Sequence, residues 1–147
     1  MANLDEAILL AVNAHHGQTD RSGEPYILHP LRLMFRQNST ATRIAAVLHD
    51  VVEDTPVTFE QLADAGFSEE ILDAVALLTH DPKDSYEEYV AKIKTNPVAR
   101  AVKLADLEDN MRLERIGGEP TEKDWLRLQK YHRAWKELRS CPKFSPI

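Results

Sequence analysis

Four ionisable residues end the stretch Val47-Leu48-His49-Asp50-Val51-Val52-Glu53-Asp54, in otherwise apolar company. The carboxylates of Asp50, Glu53 and Asp54 lie close enough to repel one another, and a divalent cation is the simplest compensation. His49 and Asp50 could hold such a cation while Glu53 and Asp54 stay free to orient and deprotonate a water, which is the chemistry of metal-assisted hydrolysis. On a continuous helix His49 pairs with Glu53, and Asp50 with Asp54, at i, i+4. A solvated acidic helix end explains the same string equally well, because short patterns recur by chance.

A second group lies in Lys103-Leu104-Ala105-Asp106-Leu107-Glu108-Asp109-Asn110. Asp106 and Asn110 fall one helical turn apart, at the edge of an apolar stripe formed by Val98, Ala101, Val102 and Ala105. A carboxylate half buried there calls for a cation or a hydrogen-bonded partner. A surface charge cluster is the alternative. His29 follows a Gly-containing loop, where a single histidine ordinarily starts a helix and bonds to backbone.

The elements that must position these residues read as helices throughout, since apolar residues recur at helical spacing and no stretch alternates long enough for a strand. The fold class expected is all-α, a single compact helical bundle with the metal site between central helices. Leu4, Ala7, Ile8, Ala11, Val12 and His15 share one face of a first helix that Gly17 ends. A second helix covers 29–37 with Pro30 in its first turn, and a third, capped by Thr40, covers 41–52 and is apolar on several sides. Thr58 with Gln61, and Ser85 with Glu88, match reciprocal capping boxes, and Ser68 caps a helix running to Thr79. Further helices are expected over 98–114, after Pro97, and over 121–139, the last with Trp125, Leu128, Tyr131, Trp135 and Leu138 on one buried stripe. His15, beside the site, either orients a ligand or packs, with packing the default reading, and His16, His80 and His132 read as helix-end or surface residues.

The chain has 147 residues, 43% of them apolar and 29% charged. A chain of that length buries about 70% of its unfolded surface, enough for one core, so one domain is expected over 1–139 with a fraying tail over 140–147. The formal charge of −6 argues against a nucleic-acid partner, which would need an excess of Lys and Arg. The longest apolar run, 7–12, is far short of a bilayer span and follows acidic Asp5 and Glu6, so a cytoplasmic protein without membrane attachment is expected. The lone Cys141 has no internal partner and no assigned role.

His29, the His49-Asp50 doublet and Asp106 resemble, in order and spacing, the four ligands of the HD-domain phosphohydrolase superfamily. Ala14-His15-His16-Gly17-Gln18, then Ser22-Gly23-Glu24-Pro25-Tyr26-Ile27-Leu28-His29-Pro30, then Leu48 through Thr55, and Lys103-Leu104-Ala105-Asp106 with Asn110-Met111-Arg112, narrow the resemblance to the hydrolase domain of RelA/SpoT-type proteins. No synthetase sequence accompanies these motifs, so the expected analogue is a small alarmone hydrolase.

The resemblance implies that His29, His49, Asp50 and Asp106 bind one Mn²⁺, a cation that a mixed imidazole and carboxylate set suits. It implies that Glu53 and Asp54 activate the water that removes the 3′-pyrophosphate of guanosine tetra- or pentaphosphate. Asn110 would contact the sugar region, Arg21, Ser22 and Lys103 the base or phosphates, with Tyr26 bounding the pocket and Gly23 and Pro25 shaping the loop. Three positions depart from the pattern: Asp20 replaces the first of a basic pair, Asp109 adds a negative charge beside the metal, and Leu113 replaces a substrate-contacting Thr. These departures keep open a phosphohydrolase acting on another nucleotide, such as NADPH or a nucleoside polyphosphate. A non-catalytic nucleotide- or protein-binding module is the alternative of a different class.

Overall fold

The computed structural model describes residues 2–140. Nine α-helices run in order through these residues: α1 (Leu4–Ala14), α2 (Leu28–Phe35), α3 (Thr40–Leu48), α4 (Val51–Asp54), α5 (Phe59–Asp64), α6 (Glu69–Leu78), α7 (Tyr86–Lys94), α8 (Pro97–Asn110) and α9 (Glu122–Arg139). A 3-10 turn, Leu113–Arg115, separates the last two. Among the described residues the sole β-type pairing is an isolated bridge between Thr19 and Pro25. The fold is all-α, as expected.

Local chemistry sets the helix starts. Reciprocal capping boxes open α1 at Asn3, α3 at Ser39, α5 at Thr58, α7 at Ser85 and α9 at Thr121, while Ser68 and Asn96 cap α6 and α8 with one side-chain bond each. The cap of α3 is therefore Ser39, one residue before the expected Thr40, because the Ser39 hydroxyl reaches the Thr42 amide. His15 caps the end of α1, and Gly17 then takes φ +87°, which a side chain would strain.

The second expected helix, over 29–37, ends two residues early at Phe35, and two others are cut short by distant side chains. The helix expected over 41–52 breaks at His49 and Asp50, where Asp50 adopts φ −126° and ψ 13°. The Asp50 carboxylate is engaged by Tyr26 and faces His15, and these tertiary partners outweigh one continued helical turn. The helix expected to reach 114 ends at Asn110, because Arg112 and Arg115 fold back to bind the Asp109 carboxylate.

The core surrounds α3, in which Ile44, Ala45, Ala46, Val47 and Leu48 are all buried against α1, α2, α6 and α8. The α9 stripe is only partly buried: Ala134 and Leu138 are interior and Tyr131 and Trp135 pack at its margin, but Trp125 is 49% exposed. On α1, Ala7, Ala11 and His15 face inward and Val12 does not. No helix among the described residues is long and apolar enough to cross a membrane. The expected tail, with Cys141, lies outside the described residues beyond Ser140.

Candidate metal centre and active site

Three separate elements bring His29, His49 and Asp106 together. His29 stands in the first turn of α2, His49 at the end of α3 and Asp106 in the middle of α8. One ligand atom from each lies within 4.8 Å of the others, and all three residues are buried. Asp106 Oδ1 lies 2.8 Å from His29 Nε2 and 3.6 Å from His49 Nε2. The His49 ring is fixed from behind, with Nδ1 donating to the Ala46 carbonyl at 2.8 Å, which leaves Nε2 facing the cluster.

Asp50, the fourth expected ligand, sits beside this trio with Oδ2 3.5 Å from His49 Nε2. Its Oδ2 also accepts the Tyr26 hydroxyl, and its Oδ1 lies 3.2 Å from His15 Nε2. Asp50 Oδ1 and His15 Nε2 are both buried without a well-aligned hydrogen bond, so capacity to bind remains at this point. Two imidazoles with buried carboxylates form a donor set suited to a first-row divalent cation, and the residues present therefore fit such an ion.

The carboxylates and bases tune one another. Burial opposes a charge on His49, but the neighbouring Asp50 and Asp106 carboxylates override it and push its pKa up to about 9. Burial likewise opposes the charge on Asp106, yet Lys103 and the two histidines hold it well below the ordinary carboxylate range. Lys103 Nζ donates to Asp106 Oδ2 at 2.9 Å, and this contact outweighs desolvation to raise the lysine. Asp54 is raised, first by desolvation and then by Asp50 and Glu53.

The short helix α4 turns Glu53 and Asp54 toward the same cavity, of about 250 Å³, that His29, His49, Asp50, Asp106, Lys103 and Asn110 line. Glu53 Oε1 accepts the His80 backbone N–H at 2.7 Å, so the segment after α6 orients it. Gln18 links α1 to α4: His15 Nδ1 donates to its Oε1 at 2.8 Å and its Nε2 donates to the Asp54 carbonyl at 3.0 Å. His15 thus does more than pack, and His80 contributes through its backbone. The His15–Gln18 bond is local and lies within the Ala14–Gln18 motif, whereas the Gln18–Asp54 and His80–Glu53 bonds have no sequence signal, since each joins elements far apart in the chain.

A second cavity of about 320 Å³ adjoins the first and shares Tyr26, Asn110 and Tyr131 with it. Arg21, Arg115 and Arg127 line it. Arg21 donates to Asp124 on α9 at 2.9 Å, and Asn110 bridges the cavities by donating to Asp106 Oδ1 at 3.1 Å while accepting from Arg115 at 2.7 Å. Ser22 is directed elsewhere, its hydroxyl donating to Asp20 at 2.8 Å. Arg115, Arg127 and Tyr131 were not distinguishable in sequence from surface and packing residues.

The departures also acquire structural roles. Asp20 Oδ1 accepts the amides of Ser22 and Glu24 as well as the Ser22 hydroxyl, which folds the loop before His29. Asp109 brings no bare charge to the metal site, because Arg32, Arg112 and Arg115 all pair with it. Leu113 projects from the 3-10 turn and is 63% exposed.

No protein-family model matches the chain. In sequence it is similar to the bifunctional (p)ppGpp synthase/hydrolase SpoT of Escherichia coli (strain K12), with 39% identity over 124 residues, covering 74% of this chain and 18% of that protein. A guanosine-3′,5′-bis(diphosphate) 3′-pyrophosphohydrolase of Vibrio cholerae is 39% identical over 124 residues, covering 74% of this chain and 17% of that protein. The chain thus spans less than a fifth of the length of these curated relatives. In fold it matches a solved structure, described as a metazoan ortholog of SpoT that hydrolyzes ppGpp, with a TM-score of 0.76 and 24% identity over 96% of this chain and 88% of that one. The chain is a homologue of the SpoT/RelA-type ppGpp hydrolase domain.

Proposed function

We propose that the protein is a Mn²⁺-dependent hydrolase that removes the 3′-pyrophosphate of guanosine tetra- or pentaphosphate in the cytoplasm, releasing pyrophosphate and GDP or GTP. The observation that carries this reading is the buried His29, His49 and Asp106 cluster opening on one cavity with Glu53 and Lys103. His29, His49, Asp50 and Asp106 would hold the cation. The chemistry such an ion supplies when bound is Lewis acidity toward a phosphoryl oxygen and easier deprotonation of a water.

The chain's own groups do the rest. Glu53, held at one oxygen by the His80 amide, presents its other oxygen as the base that draws the proton from the attacking water. Asp54, with its raised proton affinity, takes part in passing that proton on. The water oxygen bonds to the phosphorus next to the 3′ oxygen, the bond between them breaks, and a proton restores the 3′ hydroxyl. Lys103 and Asn110 border the reacting end, while Arg21, Arg115 and Arg127 supply local positive charge for the remaining phosphates or the base. Ser22 would reach substrate only by giving up its bond to Asp20.

A second reading, hydrolysis of NADPH or a nucleoside polyphosphate by the same site, draws on Asp20, which is committed to its own loop and leaves Arg21 alone of the expected basic pair. Chromatographic product analysis of guanosine tetraphosphate, with metal-stripped protein with and without Mn²⁺, separates the readings. Mn²⁺-dependent release of GDP and pyrophosphate, absent in Glu53→Ala, is the expected result. No turnover with metal bound would overturn the alarmone assignment. A biological effect that survives Glu53→Ala would favour the non-catalytic binding module.

A further inference from the structure

Asp109 is a carboxylate on α8, 2% exposed, that the proposed reaction does not use. A carboxylate buried to that extent is costly unless matched. Three guanidinium groups match it: Arg32 Nε and Nη2 donate at 2.8 and 3.0 Å, Arg112 Nη1 at 3.2 Å and Arg115 Nη1 at 2.9 Å. Even so, one oxygen faces inward, with Asp109 Oδ2 2.6 Å from His29 Nδ1.

The crowding at that oxygen decides where the proton sits. Arg115 Nη1 also lies 3.1 Å from His29 Nδ1, so three polar groups converge there. An unprotonated Nδ1 at 2.6 Å from a carboxylate oxygen would set lone pair against lone pair. Nδ1 therefore carries hydrogen and donates to Asp109. Nε2, 2.8 Å from Asp106 Oδ1, carries a proton by the same argument, and that is the proton a bound cation would displace, because Nε2 is the nitrogen on the side of Asp106 and His49. A histidine ligand whose far nitrogen donates to a carboxylate is fixed in orientation and made more basic.

We propose that Asp109 is a positioning residue for the metal centre, holding His29 so that Nε2 points into the cluster with His49 and Asp106. Arg32, Arg112 and Arg115 keep that carboxylate in place. Through Arg115, which also donates to Asn110 and lines the second cavity, the same carboxylate ties the metal centre to the arginine-lined space beside it. The inference rests on the reading of His29 as a metal ligand.

The test is Mn²⁺ titration calorimetry together with the visible spectrum of the Co²⁺-loaded protein, on the unaltered chain, Asp109→Ala and Asp109→Asn. Ile71→Val, a core change on α6, serves as a control that lowers stability away from the site. Asp109→Ala is expected to weaken Mn²⁺ binding roughly 10–100-fold and to alter the Co²⁺ spectrum. Asp109→Asn, which keeps an acceptor but loses the charge, should fall between and carries the test if the alanine variant does not fold. Unchanged affinity and spectrum would overturn the proposal. So would a loss no greater than that of Ile71→Val and following only the fall in thermal midpoint. Failure of the unaltered protein to bind Mn²⁺ would instead refute the ligand assignment beneath it.

Discussion

The backbone N–H of His80 donates to Glu53 Oε1 at 2.7 Å, joining the segment after α6 to the short helix α4. Glu53 is thereby aimed at the cavity by a residue 27 positions away. The relationship makes the proposed base a fixed group at the exposed end of a helix anchored in the core by Val51, with one oxygen occupied and one available.

Glu53→Gln tests that division of labour. The amide carbonyl oxygen can still accept from His80, but the side chain no longer takes a proton. Steady-state kinetics should show kcat reduced about 100-fold or more, with KM and Mn²⁺ affinity unchanged. A variant that turned over at the parental rate would remove Glu53 from the mechanism.

His15→Ala tests the support of Asp50. His15 is buried, faces Asp50 Oδ1 at 3.2 Å, and reaches Asp54 through Gln18. Its loss should weaken Mn²⁺ binding about 10-fold or more, read by calorimetric titration. Equal affinity in the variant would return His15 to a packing role.

Gly117→Ala tests the second cavity apart from the metal. A Cβ at Gly117 would lie 2.5 Å from the Arg21 carbonyl oxygen, closer than any real contact, so the loop bearing Arg21 must move. KM for guanosine tetraphosphate should rise severalfold while Mn²⁺ affinity stays as it was. An unchanged KM would show that the position of Arg21 does not matter to binding.

The metal-free protein should lose stability on the alkaline side. The pKa of His49 is raised in the folded chain to about 9, so its contribution is complete below the unfolded value of about 6.5 and disappears as pH rises through about 9. Asp50 and Asp106 are depressed, so theirs is present above about 4 and lost on acidification. Thermal midpoints of metal-stripped protein across pH 5 to 10 should therefore decline at the alkaline end, over the range where His49 deprotonates. Mn²⁺ should remove this decline, because the ion takes the place of the histidine proton.

Much of the architecture was legible in the chain itself. Capping boxes at Thr58 and Ser85, the cap at Ser68 and the Gly17 stop all act within a few residues, so local chemistry is enough to locate them. The periodicity also marked α3 as central. It failed where distant side chains compete with the backbone: the break at His49 and Asp50, the early end of α8 at Asn110, and the exposed Trp125 on α9.

The candidate site divides along the same line. Residue types and order at His29, His49, Asp50, Glu53, Asp54 and Asp106 determined the chemistry that this chain could support, because ligand and base character belongs to the side chain wherever it lies. Tertiary structure alone decided which of these groups meet. It placed His29, His49 and Asp106 within 4.8 Å, turned Asp50 toward Tyr26 and His15, and set Asp109 behind His29. It also made Asp109 a matched charge instead of a repulsive one, since Arg32 and Arg115 reach it only after α2 and the 3-10 turn have packed against α8. Electrostatic and hydrogen-bond energies depend on distances between atoms, and for residues 77 or 80 positions apart those distances exist only once the helices are packed.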